Sequence, residues 1–287
     1  MKKAAVLLML AMTMAFAGCG TDSADNSVQG QAEAGGKVSS DEAEPLDDSN
    51  AGSDKEDSSE VSSGDVLADG VLTVGTNAEF PPFEFVGDNG EPDGFDIALI
   101  KAIGDKLGVE VEVENMEFDS LVASIGSKID VAIAGMTVTD ERTRMVDFSD
   151  SYYQAVQFVL VPLETEIAAA DDLAGKTIGA QLGTTGDLMI EDFEGATPKQ
   201  YNKAVDEVND LVNGRLDAVI VDKNPALVFA DNFSDQIQYM DFNFEPEDYA
   251  IALPKGDAAL ADAVNNALAE LKTDGTFDDL VSQYIEN

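Results

Sequence analysis

The chain of 287 residues contains no histidine and no tryptophan, and its only cysteine is Cys19. Without histidine, zinc sites of the His type and nucleophilic chemistry of the Ser-His-Asp or Cys-His kind are excluded. A single cysteine cannot form an intramolecular disulfide bond. These common catalytic and metal-binding arrangements are therefore unavailable to the chain.

Positive charge is also scarce. The chain has 16 Lys and Arg against 57 Asp and Glu, which gives a formal net charge of −41. This balance excludes a nucleic-acid partner, because no basic stripe is present to displace counterions from phosphates. It also disfavours adsorption of the protein surface to anionic lipid. Only three arginines occur, Arg142, Arg144 and Arg215, so any arginine at the end of a strand is a candidate anchor for an anion.

The N-terminal segment has the features of a secretory signal. Two lysines precede an apolar run from Ala4 to Ala17, which is short for a membrane span. The sequence Phe16-Ala17-Gly18-Cys19 resembles the bacterial lipobox, in which the cysteine is lipidated and becomes the mature N-terminus. Phe16 departs from the usual leucine, and an ordinary signal peptide with an incidental cysteine is the alternative. We expect residues 1–18 to be a signal peptide and Cys19 to carry the lipid.

Residues 19–65 are predicted to be an acidic tether that follows the lipidated cysteine. From Gly20 to Asp65 the chain is mostly Ser, Asp, Glu, Gly and Ala, with no aromatic residue. Such a composition cannot bury enough apolar surface to offset its ordering entropy, so we expect disorder. A flexible coil of this length would span about 35–40 Å, which lets a folded part reach a membrane partner.

Strands and helices alternate from residue 66 onward. Val71–Gly75 has the pattern of a strand, Gly94–Leu107 that of an amphipathic helix, and Val109–Val113 that of a half-buried strand. A second unit repeats this plan from Lys176 to Asp222. Alternating strands and helices predict mainly parallel sheets with right-handed crossovers. The fold class is therefore α/β.

The two units imply two lobes. Two amphipathic helices, about 258–272 and 276–285, close the chain. If they pack on the first unit, the chain passes between the units twice, near residues 152–156 and 248–251. Two adjacent strands would then form a hinge that can close over a ligand. We predict that lobe 1 contains residues 66–153 and 250–287 and that lobe 2 contains residues 154–249.

The stretch from Asp130 to Arg142 is the most informative part of the sequence. An apolar run of strand length breaks at Gly135, where a backbone can approach a ligand closely. Thr139 is placed to cap a helix with acidic residues in its first turn. Arg142 follows, and a planar guanidinium forms two parallel hydrogen bonds to a carboxylate. The alternative is that Arg142 is a solvated helix residue.

Further polar residues follow the other strands of the predicted sheets. In open α/β sheets, ligands bind beyond the carboxyl ends of the strands. The residues expected there combine one cation, one anion, hydroxyls and aromatic walls, which suits a zwitterion. They are Asn77, Phe80, Phe118, Gly135, Thr137, Arg142, Gln181, Thr185 and Asp222. The sequence therefore predicts a site for a free amino acid.

Each end of such a ligand has predicted partners. Arg142 would hold the α-carboxylate, with help from the backbone amides of Thr137 and Thr185. Asp222 would take the α-ammonium, together with the Gly135 carbonyl and the Thr137 hydroxyl. Phe80 and Phe118 would enclose the ligand side chain.

Structural roles are the alternatives for several of these residues. Asp222 could cap the helix that follows it, and Thr185 could cap the helix after the glycine-rich turn. Phe118 could belong to an apolar core, and Gln181 is as consistent with a structural role as with a ligand contact. We expect Asp147 and Asp150 to be structural residues near the hinge.

Several spaced motifs occur in the order found in one known family. They are Gly75-Thr76-Asn77-Ala78-Glu79-Phe80-Pro81-Pro82-Phe83-Glu84-Phe85, Gly94-Phe95-Asp96-Ile97, Gly135-Met136-Thr137-Val138-Thr139-Asp140-Glu141-Arg142, Val146-Asp147-Phe148-Ser149, Gly183-Thr184-Thr185-Gly186 and Tyr249-Ala250-Ile251-Ala252-Leu253-Pro254-Lys255-Gly256. With them the chain resembles the polar amino-acid substrate-binding proteins of ABC importers, the extracellular solute-binding proteins of family 3. The resemblance implies a two-lobed periplasmic-binding-protein-like (type II) clamp.

The resemblance also implies the partners and the location. It suggests a monomer outside the cytoplasm that binds a free L-amino acid with a polar or cationic side chain and delivers it to an ABC transporter permease. Its only membrane contact would be the lipid anchor, and it would have no catalytic activity, no metal and no cofactor. It also places the family's ligand contacts on the nine residues named above. Some members that bind cationic or amide side chains carry Asp where this chain has Asn77, and Glu79 is a candidate for a compensating charge.

Two other functions on the same fold stay open. One is the amino-acid-sensing component of a signalling system. The other is an enzyme that resembles the cyclohexadienyl dehydratases. An enzyme would need a positioned acid with a raised pKa in the cleft, and Glu79 is the candidate that the sequence offers.

Overall fold

The structure is a computed structural model that describes residues 67–286. The predicted signal peptide, the lipidated Cys19 and the whole of the predicted acidic tether therefore lie outside the described residues. Among the described helices, none is both long enough and apolar enough to cross a membrane.

Short strands and helices alternate along the described chain, as the sequence predicts. The strands are β1 (Val71–Thr76), β2 (Glu79–Phe80), β3 (Glu84–Val86), β4 (Pro92–Asp93), β5 (Glu110–Asn115), β6 (Val131–Ala132), β7 (Val146–Phe148), β8 (Tyr153–Ala155), β9 (Gln157–Pro162), β10 (Thr177–Gln181), β11 (Thr197–Tyr201), β12 (Ala218–Asp222), β13 (Ile237–Met240), β14 (Glu247–Tyr249) and β15 (Ala252–Pro254). The α-helices are α1 (Phe95–Leu107), α2 (Leu121–Ser124), α3 (Thr185–Met189), α4 (Ala204–Val212), α5 (Lys223–Asn232), α6 (Ala258–Asp274) and α7 (Thr276–Tyr284).

The first five-stranded sheet has the order β5-β1-β6-β15-β7. β1 pairs in parallel with β5 and with β6, whereas β15 is antiparallel to both of its neighbours. Four of the five strands therefore run in one direction. On the edge strand β5, half-buried Val111 and Val113 alternate with exposed glutamates, a pattern typical of a strand with one solvated face. We call the part of the protein around this sheet lobe 1.

The second five-stranded sheet has the order β11-β10-β12-β9-β13. β10 pairs in parallel with β11 and β12, and β9 runs antiparallel between β12 and β13. All residues of β12 are buried, as expected for an interior strand of a covered sheet. This part of the protein is lobe 2, and it repeats the strand order and the single reversed strand of lobe 1. The predicted α/β fold with mainly parallel sheets is confirmed.

Two short strands connect the lobes. β8 and β14 form an antiparallel pair in which Tyr153 lies opposite Tyr249 and Ala155 lies opposite Glu247. One strand leads from lobe 1 into lobe 2, and the other leads back. The predicted hinge therefore consists of these two strands.

The last helices return to lobe 1. Leu260, Val264, Leu268 and Leu271 of α6 are buried in the same hydrophobic core as the apolar face of α1. On the surface, the Lys106 ammonium lies 2.7 Å from the Asp274 carboxylate. The burial of these leucines, more than the exposed ion pair, holds the C-terminal segment in place.

Two local predictions are wrong in detail. The stretch from Tyr249 to Leu253 is not one strand, because the backbone leaves the hinge ladder at Ala250, whose N–H donates to the Met136 carbonyl, before β15 begins. The helix predicted after Thr139 is a single 3-10 turn at Arg142–Arg144. The Thr139 hydroxyl does accept the Arg142 N–H at 3.2 Å, but β7 begins at Val146, so there is no room for a longer helix.

Candidate functional site

A small cavity lies between the two lobes. All nine residues that the sequence predicts for the site line this cavity, together with Glu84, Ala134 and Thr184. The structure therefore brings together residues that are up to 145 positions apart, from Asn77 to Asp222. Their contact with a ligand stays a prediction.

The ends of four strands position the polar residues of the cavity. Asn77 follows β1, Gly135 follows β6, Gln181 ends β10 and Asp222 ends β12. Gly135 has a positive φ of 51°. A Cβ at this position would lie 3.2 Å from Tyr249 and 3.3 Å from Phe80, so both the backbone angle and the tight packing favour glycine.

Arg142 is buried, with 8% of its surface exposed. Its Nη1 donates to the Thr137 carbonyl at 2.7 Å, and its Nη2 donates to the Gly183 carbonyl at 2.9 Å, across the two lobes. The guanidinium carbon lies 5.2 Å from the centre of the Phe118 ring. The alternative of a solvated helix residue is wrong.

The Arg142 guanidinium has no acidic partner. Among residues 67–286 no carboxylate oxygen lies within 4.0 Å of it. Burial lowers its pKa, while the more distant charges of Glu247 and Asp222 act against that decrease. Two of the five guanidinium N–H groups are bonded to carbonyls, so others are left for an anion. A carboxylate that entered the cavity would supply the missing counter-charge.

Asp222 provides the opposite charge. It precedes α5 as the N-cap residue, but its side chain makes no capping hydrogen bond, which rules out the helix-cap alternative. Oδ1 instead accepts Nε2 of the buried Gln157 at 3.0 Å. Burial, followed by the negative charge of Glu247, raises the pKa of Asp222 to about 7. A cationic group in the cavity would favour its ionised form.

The two neighbouring threonines of the glycine-rich turn have different roles. Thr184, and not Thr185, caps α3, because its hydroxyl accepts the Asp187 N–H at 3.2 Å. The Thr185 hydroxyl donates to Glu247 Oε2 at 2.7 Å. The capping alternative for Thr185 is therefore wrong, and its side chain faces the hinge.

Asn77 and Gln181 join the lobes across the cavity. Gln181 Nε2 donates to Asn77 Oδ1 at 2.7 Å and to the Asn202 carbonyl at 2.9 Å. Asn77 Nδ2 donates to the Met116 carbonyl at 2.8 Å. Asn77 Oδ1 already accepts one of these bonds, so its second lone pair and the Gln181 side-chain oxygen are the acceptors that this pair can offer to a donor group of a ligand.

The two aromatic residues predicted for the site, Phe80 and Phe118, line the cavity and also pack against other parts of the protein. Phe80 lines the cavity and packs against Phe83, with ring centres 6.2 Å apart. Phe118 also lines the cavity, and it stacks on Arg142. It belongs at the same time to a small core cluster with Leu121 and Met136. Both the binding role and the core role proposed for Phe118 are therefore compatible with its position.

Glu79 does not supply a charge to the cavity. Its Oε1 lies 2.5 Å from the Lys203 ammonium of the other lobe, and it does not line the cavity.

Asp147 has the structural role that the sequence suggests: it lies 2.6 Å from the Lys255 ammonium and accepts the Gly256 N–H at 2.7 Å. For Asp150, the backbone N–H donates to the Asn265 side chain at 2.7 Å.

A pair of buried carboxyl groups beneath the cavity is absent from the sequence-based set. Glu84 lines the cavity and is in contact with Asp96. Burial, and then the proximity of Asp96, raise the pKa of Glu84 well above its usual range. Burial raises that of Asp96 to about 6, against the effect of hydrogen bonds from the Gly135 N–H and the Tyr152 hydroxyl, each 2.8 Å long. A shared proton between the two carboxyls satisfies this arrangement.

Glu247 and Gln157 are two further polar residues of this region that the sequence analysis did not include in the site. Glu247 Oε2 accepts the hydroxyls of Thr137 and Thr185, each at 2.7 Å, and Gln157 Nε2 lies 3.5 Å away. A signal for Glu247 was present in the sequence. Alternate residues of a strand share a face, so Glu247 lies on the face of Tyr249, which belongs to a recognised motif. Gln157 opens an apolar run, and its polar character there was the only indication.

Two α/β lobes joined by a two-stranded hinge, with a charged cavity between them, define the class of type II periplasmic binding proteins. The sequence model of the bacterial extracellular solute-binding proteins, family 3, matches residues 72–287. The chain belongs to this family, as its motifs suggested.

Individual relatives are consistent with this assignment. The chain is similar to the L-cystine-binding protein TcyJ of Escherichia coli (strain K12), with 35% identity over 219 residues that cover 75% of this chain and 82% of the relative. It is also similar to the structure of an ancestral arginine-binding protein bound to arginine, with a TM-score of 0.73, 40% identity and coverage of 75% and 98%. A third similar structure is the ancestral amino acid-binding protein AncCDT-1, a precursor of cyclohexadienyl dehydratase, with a TM-score of 0.71, 35% identity and coverage of 76% and 97%.

Proposed function

We propose that this protein binds a free L-amino acid with a polar or cationic side chain outside the cytoplasm and delivers it to an ABC importer. The Arg142 guanidinium receives the α-carboxylate, and Asp222 receives the α-ammonium. The observation that carries the proposal is the buried, unpaired guanidinium on one face of a cavity whose other face presents a buried carboxyl. Without a ligand, such charges are unfavourable in the interior. A zwitterion between them pairs both.

The charge of the cavity supports a cationic or polar ligand side chain. Arg142 is the only cationic residue in the described lining, whereas Glu84 and Asp222 both line it. The acceptor oxygens of Asn77 and Gln181 add places for N–H donors. An acidic ligand side chain would meet carboxyl groups without a second cation. The names of the relatives, which include cystine- and arginine-binding proteins, agree with this choice.

A thermal-shift screen of the purified protein against the common amino acids tests the proposal. We expect stabilisation by a small group of polar or basic amino acids, because a ligand that binds only the folded state raises the melting temperature. Aspartate and glutamate serve as matched acidic controls and should have no effect. Stabilisation by none of the amino acids, or by the acidic ones only, would contradict the proposal.

The anchoring and the partners belong to the same proposal. Cys19 carries the lipid after removal of residues 1–18, a monomer reaches the permease on the tether, and residues 66–153 with 250–287 and residues 154–249 form the two lobes. We expect Cys19→Ser to move the protein from the membrane fraction to the soluble fraction in a cell-fractionation assay. Unchanged membrane partitioning would contradict lipidation at this residue.

We propose that the protein does not catalyse a reaction. The relatives named above are binding proteins, and the neighbour linked to a dehydratase is itself described as amino acid-binding. Glu79, the sequence's candidate for a catalytic acid, is paired with Lys203. The one observation that favours an enzyme is the raised pKa of Glu84 at the cavity. A turnover assay with a cyclohexadienyl substrate decides between the two, and we expect no product.

A further inference from the structure

Three parts of the protein meet at one atom, the Oε2 oxygen of Glu247. Thr137 of lobe 1 and Thr185 of lobe 2 each donate a hydroxyl hydrogen bond of 2.7 Å to it. Glu247 itself lies on the hinge strand β14. Both bonds are present in the arrangement of the lobes that the structure describes, and a hinge motion that separates lobe 1 from lobe 2 would break at least one of them.

The chemistry of the carboxylate fixes the direction of both hydrogen bonds. An ionised carboxylate only accepts, so both threonine hydroxyls must donate their single proton to it. The Thr185 oxygen then accepts Gln157 Nε2 at 3.2 Å. Thr137 lines the cavity. Because its hydroxyl proton is already donated to Glu247, its oxygen can act toward a ligand only as an acceptor.

An acceptor is what an ammonium group needs, because an ammonium has three donors and no acceptor. Without Glu247 the Thr137 hydroxyl would be free to rotate and to donate instead. Gln157 Nε2 also bonds to Asp222 Oδ1 at 3.0 Å, and this connects the Glu247 cluster to the predicted ammonium partner. Glu247 therefore organises the acceptors on both sides of the predicted ammonium position.

We propose that Glu247 is a positioning residue of the binding site: it orients the Thr137 hydroxyl to accept the α-ammonium of the ligand, and it joins that acceptor to closure of the lobes. The inference rests on the proposed amino-acid binding and adds a residue that acts through others. Glu247 touches the threonines and Gln157, and it acts on the ligand only through them.

The test compares two ligands that differ only in the α-ammonium. L-arginine and 5-guanidinopentanoate are titrated by calorimetry into the full-length wild type, Glu247→Ala and Glu247→Gln. We expect Glu247→Ala to weaken L-arginine binding by about tenfold to a hundredfold. Binding of 5-guanidinopentanoate should weaken by a smaller factor, because this ligand has no ammonium and loses only the contribution of Glu247 to lobe closure. Glu247→Gln should be intermediate, because its amide oxygen still accepts a hydroxyl proton. Glu245→Gln, at an exposed position two residues earlier, is the matched control and should bind as the wild type does.

A second measurement does not depend on which amino acid binds. Small-angle scattering of the protein without ligand should give a larger radius of gyration for Glu247→Ala than for the wild type and Glu245→Gln. Equal loss of affinity for both ligands, or no change in affinity and scattering, would overturn the inference. A wild type that binds no amino acid would contradict the proposed function instead, and the scattering result would still decide the role of Glu247 in closure.

Discussion

Charged groups at the cleft and on the outer surface of this protein have opposite surroundings. On the surface, Asp210 is bound by Arg215 at 2.7 Å and by Lys199, and the hydrogen bond from Lys199 is the main cause of its lowered pKa. In the cleft, Asp222 has no cationic partner within 4.0 Å among the described residues, and burial raises its pKa. The two arginines show the same contrast: Arg215 is paired with Asp210, whereas the buried Arg142 has no acidic partner among the described residues.

This difference distinguishes charges that are paired within the protein from buried charges that a ligand could pair. A surface ion pair is complete within the protein, and it contributes about 0–1 kcal/mol to the free energy of unfolding. A buried group without a counter-charge is unfavourable until one arrives. The cleft therefore buries charged groups that have no counter-charge among the described residues, which is typical of a binding site and not of a structural core.

The largest effect is expected from removal of the cleft guanidinium. Arg142→Ala should weaken amino-acid binding by about 2–5 kcal/mol, which is roughly 30-fold to several thousand-fold in Kd, because the ligand carboxylate loses its buried partner. Arg215→Ala removes the same side chain from the surface and should leave the affinity unchanged. Calorimetric titration of the two variants measures the contrast. Equal affinities would show that Arg142 is not the carboxylate anchor.

Removal of the cleft carboxylate should have the next largest effect. Asp222→Asn keeps the size of the side chain and loses its charge, so we expect a loss of about 1.5–3 kcal/mol of binding free energy. Asp231→Asn, at an exposed position of α5, is the control. In chemical denaturation at pH 8, the unliganded Asp222→Asn protein should be at least as stable as the wild type, because a buried ionised carboxylate is removed. A large loss of stability together with unchanged affinity would assign Asp222 a structural role.

Acidification should weaken ligand binding and at the same time increase the stability of the folded protein. Asp222, whose pKa burial raises to about 7, must ionise to pair with an ammonium, so the affinity should fall by up to about tenfold per pH unit below 7. In the folded state Glu84 and Asp96 also have raised pKa values. These carboxyls bind protons in the folded state before they do so in the unfolded state, so the free energy of unfolding should increase as the pH falls from 7 to 5.

The chain has no histidine, so no imidazole contributes to titration in this range. Calorimetry at pH 8, 7 and 6 and urea denaturation at pH 7 and 5 measure the two trends. The Asp222→Asn variant should lose most of the pH dependence of binding. A wild-type affinity that is constant from pH 8 to 6, or that increases on acidification, would contradict the assignment of the ammonium to Asp222.

The smallest effect is expected at the ion pair that joins the lobes outside the cavity. Lys203→Ala breaks the contact with Glu79, and about half of the Lys203 side chain is exposed. We expect a change of about 0–1 kcal/mol in binding free energy, and a smaller one at high salt. Glu79→Gln should behave in the same way. A loss as large as that of Arg142→Ala would place this pair in the binding machinery.

Much of the fold was predictable because it is encoded locally. The period of Phe95–Leu107 and the following Gly108 define one helix, and Gly108 adopts the left-handed conformation that ends it. The ends of β6 and β12 likewise place Gly135 and Asp222 at one edge of each sheet. The sequence could not show which of two neighbouring threonines caps α3. Thr184 and Thr185 are both suitable N-cap residues, and only the folded turn shows that Thr184 is the cap.

The hinge chemistry depends on tertiary structure. Glu247 meets Thr137 and Thr185 because two lobes close over a strand, and no local pattern describes that meeting. The same holds for the pair Glu84 and Asp96, whose raised pKa values come from burial. Sequence patterns therefore located the strand ends of the site, whereas its hydrogen-bond directions required the folded structure.

The most direct test of the central claim is a crystal structure of the protein with the amino acid that stabilises it most. We expect the α-carboxylate oxygens about 3 Å from the Arg142 guanidinium nitrogens and the α-nitrogen about 3 Å from Asp222 and the Thr137 hydroxyl. A ligand bound outside the cavity, or one with its α-carboxylate away from Arg142, would contradict this account.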